Sequence, residues 1–239
     1  LYAGSHYLHV SYDAGTHWEV ISPDLTRGEP ETIRSSGGPI TQDNTGAEFY
    51  ANILCMQESV LEKDVIYTGS DDGLLYVTRD GGKNWKNITP PTSPKYNMMN
   101  SIEPSTLEKG KVYVVATSYK FGDYTPYIYK SSDYGASWTT ITSGIPKEEF
   151  ARVVRADHTR KGLLYAGTEK GMWISFDDGT LWSRFQLNLQ SLERTYFVKL
   201  EDEVLGYQVT KYNPTAPEGE TGNGRLDPEG RNRRKGLLP

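Results

Sequence analysis

The chain has 239 residues and a net charge of -5, and it contains 17 tyrosines and five tryptophans within a hydrophobic content of 36%. This aromatic, strand-favouring composition argues against a disordered protein, and the acidic balance argues against nucleic acid as a partner. No apolar run approaches the roughly 18 residues that a membrane-spanning helix needs, so no transmembrane segment is predicted.

An octet near the start of the chain, SYDAGTHW at residues 11–18, recurs as TRDGGKNW at 78–85, SSDYGASW at 131–138 and SFDDGTLW at 175–182. We call each copy a box. Asp can accept hydrogen bonds from nearby backbone N–H groups and Gly tolerates a chain reversal, so the pattern predicts structural turns rather than catalytic acids. The shared positions are Ser11, Asp13, Gly15, Trp18, Thr78, Asp80, Gly82, Trp85, Ser131, Asp133, Gly135, Trp138, Ser175, Asp177, Gly179 and Trp182.

The flanks of the boxes repeat as well, as an apolar strand, a turn, a second apolar strand, the box and a short β-prone run. A further strand lies upstream of the later copies, so the predicted unit is four antiparallel strands with the box between the third and fourth. The box aspartates are 67, 53 and 44 residues apart, which is close to the length of a propeller blade. The fold class predicted is therefore all-β, a β-propeller portion at 1–190 with blades at about 1–21, 50–89, 97–142 and 150–186.

Two segments fall outside this repeat. Residues 22–49 are rich in Gly, Pro, Thr and Asp and are interpreted as a long loop inserted between blades. Residues 191–239 are predicted to form an irregular C-terminal segment, in which one or two strands precede a poorly ordered stretch rich in Pro, Gly and charge. This segment is interpreted as part of a following β-domain.

Several stretches together resemble one protein family: ISPDLTR, SGGPITQDNTGAEFY, GSDDGLLYVTRDGGKNW, ARVVRAD and KGLLYAGTEKGMWISFDDGTLW. They are similar to the bacterial sortilin-like proteins with BNR, or Asp-box, repeats, which are propellers that often carry a glycosyl hydrolase label. The resemblance covers about residues 1–190 and implies a secreted, periplasmic or cell-surface protein. It also implies more blades than are seen, supplied by unseen chain or by a partner, and the start at Leu1 favours a fragment.

Function is expected on the propeller face opposite the boxes, where the other turns and the segments between blades lie. Mixed charge with aromatics suits a carbohydrate or peptide ligand, and the binding candidates are Tyr50, Lys120, Asp123, Tyr124, Arg152, Arg155, Glu169 and Lys170. A glycosidase needs two carboxylates about 5 to 10 Å apart. The candidates are Asp71 or Asp72 with Asp43 or Glu48, and the alternative is that Asp71 and Asp72 only hold a tight, solvated turn.

The histidines and the single cysteine show no metal-ligand spacing, and no phosphate-cradling motif is recognised, so no metal and no cofactor are predicted. The leading interpretation is a non-catalytic extracytoplasmic propeller that binds or scaffolds a protein or a glycan. One alternative is a glycoside hydrolase, similar to a xyloglucanase or a sialidase, whose cleft is completed by missing chain. A second alternative is an assembly factor for a membrane complex.

Overall fold

The structure, a computed structural model, describes residues 1–35, 37, 40, 50–185, 195–200 and 203–208. It confirms the all-β class, because successive antiparallel sheets follow one another along the chain. We call the sheets blades. The first has three strands, β1 (Tyr2–Gly4), β2 (Leu8–Val10) and β3 (Glu19–Val20), and the second has four, β4 (Ile53–Glu58), β5 (Ile66–Ser70), β6 (Leu75–Thr78) and β7 (Trp85–Asn87).

The next two blades repeat the four-stranded order. The third contains β8 (Met98–Pro104), β9 (Val112–Ser118), β10 (Asp123–Ser131) and β11 (Thr139–Thr140), and the fourth contains β12 (Ala151–Ala156), β13 (Leu164–Thr168), β14 (Gly171–Ser175) and β15 (Ser183–Arg184). A separate hairpin follows, β16 (Thr195–Leu200) with β17 (Glu203–Gln208), in the stretch where one or two strands were expected. Residues 209–239 lie outside the described residues.

The first blade matches the second, third and fourth strands of the others. The first strands β4, β8 and β12 are neighbours, so they lie side by side on the inner edge of the blades. Each of these strands begins at the end of its blade that lies opposite the box and runs toward the end that carries the box. We call the box end the box face, and we call the opposite end, with the turns 5–7, 71–74, 119–122 and 169–170 and the segments between blades, the linker face.

The apolar core lies between blades, because alternate residues of one strand point to opposite sides of its sheet. In β9, Val112 and Val114 pack toward the second blade, whereas Tyr113 and Val115 pack toward the fourth. A smaller cluster around Leu8 and Ile66 joins the first and second blades. Each blade is therefore held by its neighbours, as expected for a repeat fold.

All four boxes fold into the same hydrogen-bonded turn. The Ser or Thr hydroxyl donates to the Asp carboxylate at 2.7–2.9 Å, and the box Gly N–H donates to that hydroxyl oxygen at 2.8–2.9 Å. The N–H four residues beyond each Asp donates to the same carboxylate. Two successive residues of each box have positive φ, for example Tyr134 at 58° and Gly135 at 82°. Glycine adopts positive φ without strain, which explains why the second of these positions is always glycine.

The box tryptophans of the last three boxes join neighbouring blades. The indole N–H of Trp85, Trp138 and Trp182 donates to the carbonyl oxygen of Ile21, Ile88 and Ile141 respectively, at 2.7–3.0 Å. Each acceptor directly follows the last strand of the preceding blade. Trp18 donates instead to Gly15 of its own box and is 43% exposed. The box thus closes a hairpin and also fixes the spacing of the blades.

The box carboxylates predict a dependence of stability on pH. Hydrogen bonds from the side chain and backbone N–H of Ser137 lower the pKa of Asp133 to about 2, below the value of about 3.9 expected in an unfolded chain. The ionised carboxylate therefore stabilises the fold above about pH 4, and this contribution is lost as the pH falls toward 2. We expect the stability difference between wild type and Asp133→Asn, measured by urea unfolding, to narrow from pH 6 to pH 2. A difference that stays constant over this range would contradict the assignment.

Candidate functional site

The linker face gathers side chains from three blades and from the segments between them. Its most prominent projection is the turn between β9 and β10, where a single 3-10 turn at Tyr119–Phe121 ends at Gly122 with φ 76°. A side chain at position 122 would meet no neighbouring atom. Glycine is therefore favoured at this position by its positive φ and not by a lack of space. This reversal leaves Phe121 and Tyr124 exposed beside the segments that enter β8 and β12.

Asp72 is fully buried and has a structural set of partners. Its carboxylate accepts the backbone N–H groups of Arg27 at 2.7 Å and Gly28 at 3.2 Å, and the hydroxyl of Ser70 at 2.5 Å. The Arg27 side chain also donates to the Asp72 carbonyl oxygen. Asp72 therefore holds the start of the long segment between the first and second blades against the second blade, and its oxygens are not available to a ligand.

Asp71, the neighbouring residue, is in a different environment. One of its carboxylate oxygens accepts the backbone N–H of Asn52 at 2.8 Å, and the side chain is only partly exposed. Burial raises the pKa of Asp71, the Asn52 N–H opposes the increase, and the charge of Asp72 adds to it. Lys120 is the cation that acts on Asp71 from the turn between β9 and β10.

Tyr50 lies in the same region, since Asp72 and Asp71 both contribute to its electrostatic environment. Burial, followed by these two carboxylates, raises the pKa of Tyr50 to about 12. The phenol therefore stays protonated at physiological pH and can act as a hydrogen-bond donor. The sequence interpretation grouped Tyr50, Lys120 and Asp71 on one face, and in the structure Tyr50 and Lys120 each lie near Asp71.

A further group of side chains on this face was missed by the sequence interpretation. Glu29 accepts hydrogen bonds from the Tyr96 hydroxyl and from Lys95, and the Arg27 guanidinium lies 5.9 Å from the centre of the Tyr96 ring. These residues come from the segments between blades, which carry no repeated motif. The sequence offered one weak indication of this group, the tyrosine that follows Lys95 in a segment rich in proline.

Aromatic rings form a continuous cluster on the third and fourth blades. Tyr119 stacks on Phe150 with ring centres 5.1 Å apart and an interplanar angle of 11°, and Tyr124 lies 6.0 Å from Phe150. The Arg152 guanidinium covers Tyr119 and Phe150 at 4.8 and 4.9 Å, and Glu169 fixes it through a 2.9 Å ion pair. We call Tyr119, Phe121, Tyr124, Phe150 and Arg152 the aromatic cluster.

Phe121 lies toward the second blade, with its ring centre 6.4 Å from that of Tyr96, and Tyr96 is near Tyr50. The predicted binding residues Tyr124, Arg152 and Glu169 are thus brought together, and Tyr50 and Lys120 lie beside Asp71. Lys170 is exposed in the turn between β13 and β14, next to Glu169.

Two other predicted binding residues are placed differently. Asp123 accepts the Tyr127 hydroxyl at 2.6 Å and the Thr125 N–H at 2.9 Å, and these bonds lower its pKa although burial acts to raise it. Arg155 lies near the box end of β12 and donates to Ser101 and Glu103 of the third blade. Asp123 therefore supports its own hairpin, and Arg155 joins two inner strands away from the linker face.

Asp43 and Glu48, the predicted partners of Asp71 or Asp72, lie outside the described residues. Within the part of the chain that the structure describes, no three His, Cys, Asp or Glu side chains are grouped as metal ligands would be. Among those same residues, no helix has the length and apolar character to cross a membrane.

Comparison with known proteins agrees with the fold. No protein-family model matches the chain. It is 27% identical over 139 residues to the xyloglucanase Xgh74A of Acetivibrio thermocellus, a match that covers 52% of this chain and 16% of that protein. It is 24% identical over 175 residues to a xyloglucanase of a Paenibacillus species, covering 68% of this chain and 17% of that protein.

Among solved structures, an ancestral GH74 enzyme superposes with a TM-score of 0.57 and 14% identity over 77% of this chain and 22% of that one. The chain is therefore a β-propeller portion similar to part of the glycoside hydrolase propellers, and it spans about one sixth of the length of the two xyloglucanases. The propeller fold and the likeness to glycosyl hydrolases inferred from the sequence are confirmed at this level, and the assignment to the sortilin-like BNR proteins stays a prediction.

Proposed function

We propose that this chain is part of a glycoside hydrolase-like propeller that binds a polysaccharide of the xyloglucan class on its linker face. The observation that carries the proposal is the environment of Asp71, a partly buried carboxylate with a raised pKa beside Tyr50, Lys120 and exposed aromatic rings. The similarity to two xyloglucanases supports the choice of substrate. This proposal favours the glycosidase alternative over the non-catalytic interpretation.

The chemistry assigned to Asp71 is proton donation to a leaving-group oxygen. A carboxyl group with a raised pKa remains protonated closer to neutral pH than an ordinary aspartate, which suits a general acid. Asp72 is excluded from this role because Arg27, Gly28 and Ser70 occupy its oxygens. Its function is to fix the turn that presents Asp71.

A hydrolase also needs a second carboxylate within about 10 Å of the first. The other linker-face carboxylates named above have protein partners, since Glu29 binds Tyr96 and Lys95, and Glu169 binds Arg152. We propose Asp43 or Glu48, or a residue beyond this chain, as the second carboxylate.

The test is to incubate the full-length protein that contains this chain with xyloglucan, and in parallel with a sialoside and with an uncharged mannan. We expect binding of xyloglucan and release of soluble oligosaccharides from it, with neither other substrate cleaved. If xyloglucan is neither bound nor cleaved, the proposal is wrong.

The non-catalytic binding module is the second candidate function, and the engaged state of Glu29, Glu169 and Asp123 favours it. It predicts xyloglucan binding without release of oligosaccharides. Location outside the cytoplasm is part of both proposals. A role in assembling a membrane complex stays a prediction from the sequence.

A further inference from the structure

Two rings of the aromatic cluster are largely exposed to solvent. Phe121 is 65% exposed and Tyr124 is 52% exposed, whereas Phe150, which packs against Tyr124, is 4% exposed. Large apolar side chains that project together from one turn expose surface to water at a cost, and such patches mark binding sites more often than isolated exposed residues do.

The support beneath these rings is rigid. Phe150 is buried, Tyr119 stacks on it, and the Arg152 guanidinium covers both rings while Glu169 holds it in place. Tyr124 rests against Phe150 at 6.0 Å, and Phe121 approaches Tyr96 at 6.4 Å. A prepositioned ring loses little side-chain entropy when a ligand binds, so a fixed platform binds more tightly than a mobile one.

The charges around the platform are balanced, which favours an uncharged ligand. Arg152 is paired with Glu169, Asp123 is engaged by Tyr127 and Thr125, and Lys120 faces Asp71. A charged ligand would therefore meet no excess of opposite charge. A sugar ring carries C–H groups on its faces and hydroxyls on its rim, so it can place polarised C–H groups on the electron-rich face of an aromatic ring.

We propose that the exposed rings of Phe121 and Tyr124 form a platform on which sugar rings of a neutral glucan chain stack as it crosses the linker face. This inference rests on the proposed function and deepens it, because it names the part of the chain that supplies binding energy without taking part in proton transfer. The platform binds the substrate in its ground state and in its transition state alike. Its loss consequently raises KM and leaves kcat unchanged.

The experiment compares wild type, the double variant Phe121→Ala with Tyr124→Ala, and a control, Phe176→Ala. Phe176 is 57% exposed on the box face and has Arg160 at 5.3 Å from its ring, so it matches the chemistry of the platform but not its position. The affinity for a xyloglucan oligosaccharide is measured by calorimetry, and KM and kcat are measured on the polymer. We expect the double variant to lose about tenfold or more in affinity, with kcat within twofold of wild type and the control unchanged.

Phe121→Trp keeps an aromatic ring at the turn, and we expect it to retain affinity, which separates ring loss from damage to the fold.

Affinity for a neutral glucan is also expected to be insensitive to salt between 50 and 500 mM. Wild-type affinity that falls steeply with salt would overturn the neutral assignment. If the double variant binds within twofold of wild type, the platform proposal is wrong while the proposed function stands. The exposed rings would then be assigned to contact with a protein partner. A wild type that binds no glucan would reject the proposed function as well.

Discussion

Asp71→Asn is expected to lower kcat on xyloglucan by at least about 100-fold while leaving the fold intact. General acid catalysis contributes roughly 10²- to 10⁴-fold to rate, and an amide cannot donate a proton to the leaving group. Asparagine keeps an oxygen that can accept the Asn52 N–H at the place where Asp71 accepts it at 2.8 Å. The change in the free energy of unfolding should accordingly stay below about 1 kcal/mol. Steady-state turnover and urea unfolding measure the two effects separately.

Glu148→Gln is the matched control for this variant. Glu148 is exposed in the segment that precedes β12 on the linker face, so its neutralisation removes one negative charge from the same face without touching Asp71. We expect turnover within twofold of wild type. Equal losses of turnover in both variants, or full turnover in Asp71→Asn, would show that Asp71 is not the general acid. In wild type, the turnover rate should fall as the pH rises through the raised pKa of Asp71, because the general acid acts in its protonated form.

Asp72→Ala is expected to show the opposite behaviour, with a loss of about 3 kcal/mol in the free energy of unfolding. Removing the carboxylate leaves the N–H groups of Arg27 and Gly28 without their acceptor, and the Ser70 hydroxyl keeps only the longer bond to the Leu74 carbonyl oxygen. Asp72 is completely buried, so water cannot replace the lost hydrogen bonds without opening the turn. The measurement is urea unfolding monitored by tryptophan fluorescence.

Asp24→Ala provides the comparison, because Asp24 is exposed on the same segment and accepts hydrogen bonds from the backbone and hydroxyl of Thr26. We expect it to cost about 1 kcal/mol or less, since Asp24 itself is exposed and water can reach the place of its carboxylate. If Asp72→Ala costs no more than Asp24→Ala, Asp72 does not anchor the segment between the first and second blades.

The boxes could be predicted from the sequence because their interactions are local. Ser131, Asp133 and Gly135 bond to one another within a few residues, so a short repeated pattern records the whole turn. The bond from Trp138 to Ile88, 50 residues earlier in the chain, was not predicted, because nothing in the octet specifies which carbonyl oxygen the indole meets.

The difference between Asp71 and Asp72 could not be predicted for a related reason. Their order in GSDDG is visible, but burial of Asp72 depends on Arg27 and Gly28, which come from a segment about 45 residues earlier. Arg152 and Arg155 were assigned to one face because they share the stretch ARVVRAD. A strand advances about 3.3 Å per residue, so Arg155 lies about 10 Å nearer the box face and pairs there with Glu103.

Hydrogen–deuterium exchange with and without a xyloglucan oligosaccharide tests the central claim most directly, because it locates the ligand on one face or the other. We expect slower exchange in the linker-face segments 69–74, 118–124 and 150–152 when the oligosaccharide is present, and unchanged exchange in the boxes at 131–138 and 175–182. Protection confined to the boxes, or no protection anywhere at a saturating concentration of oligosaccharide, would contradict the assignment of glucan binding to the linker face.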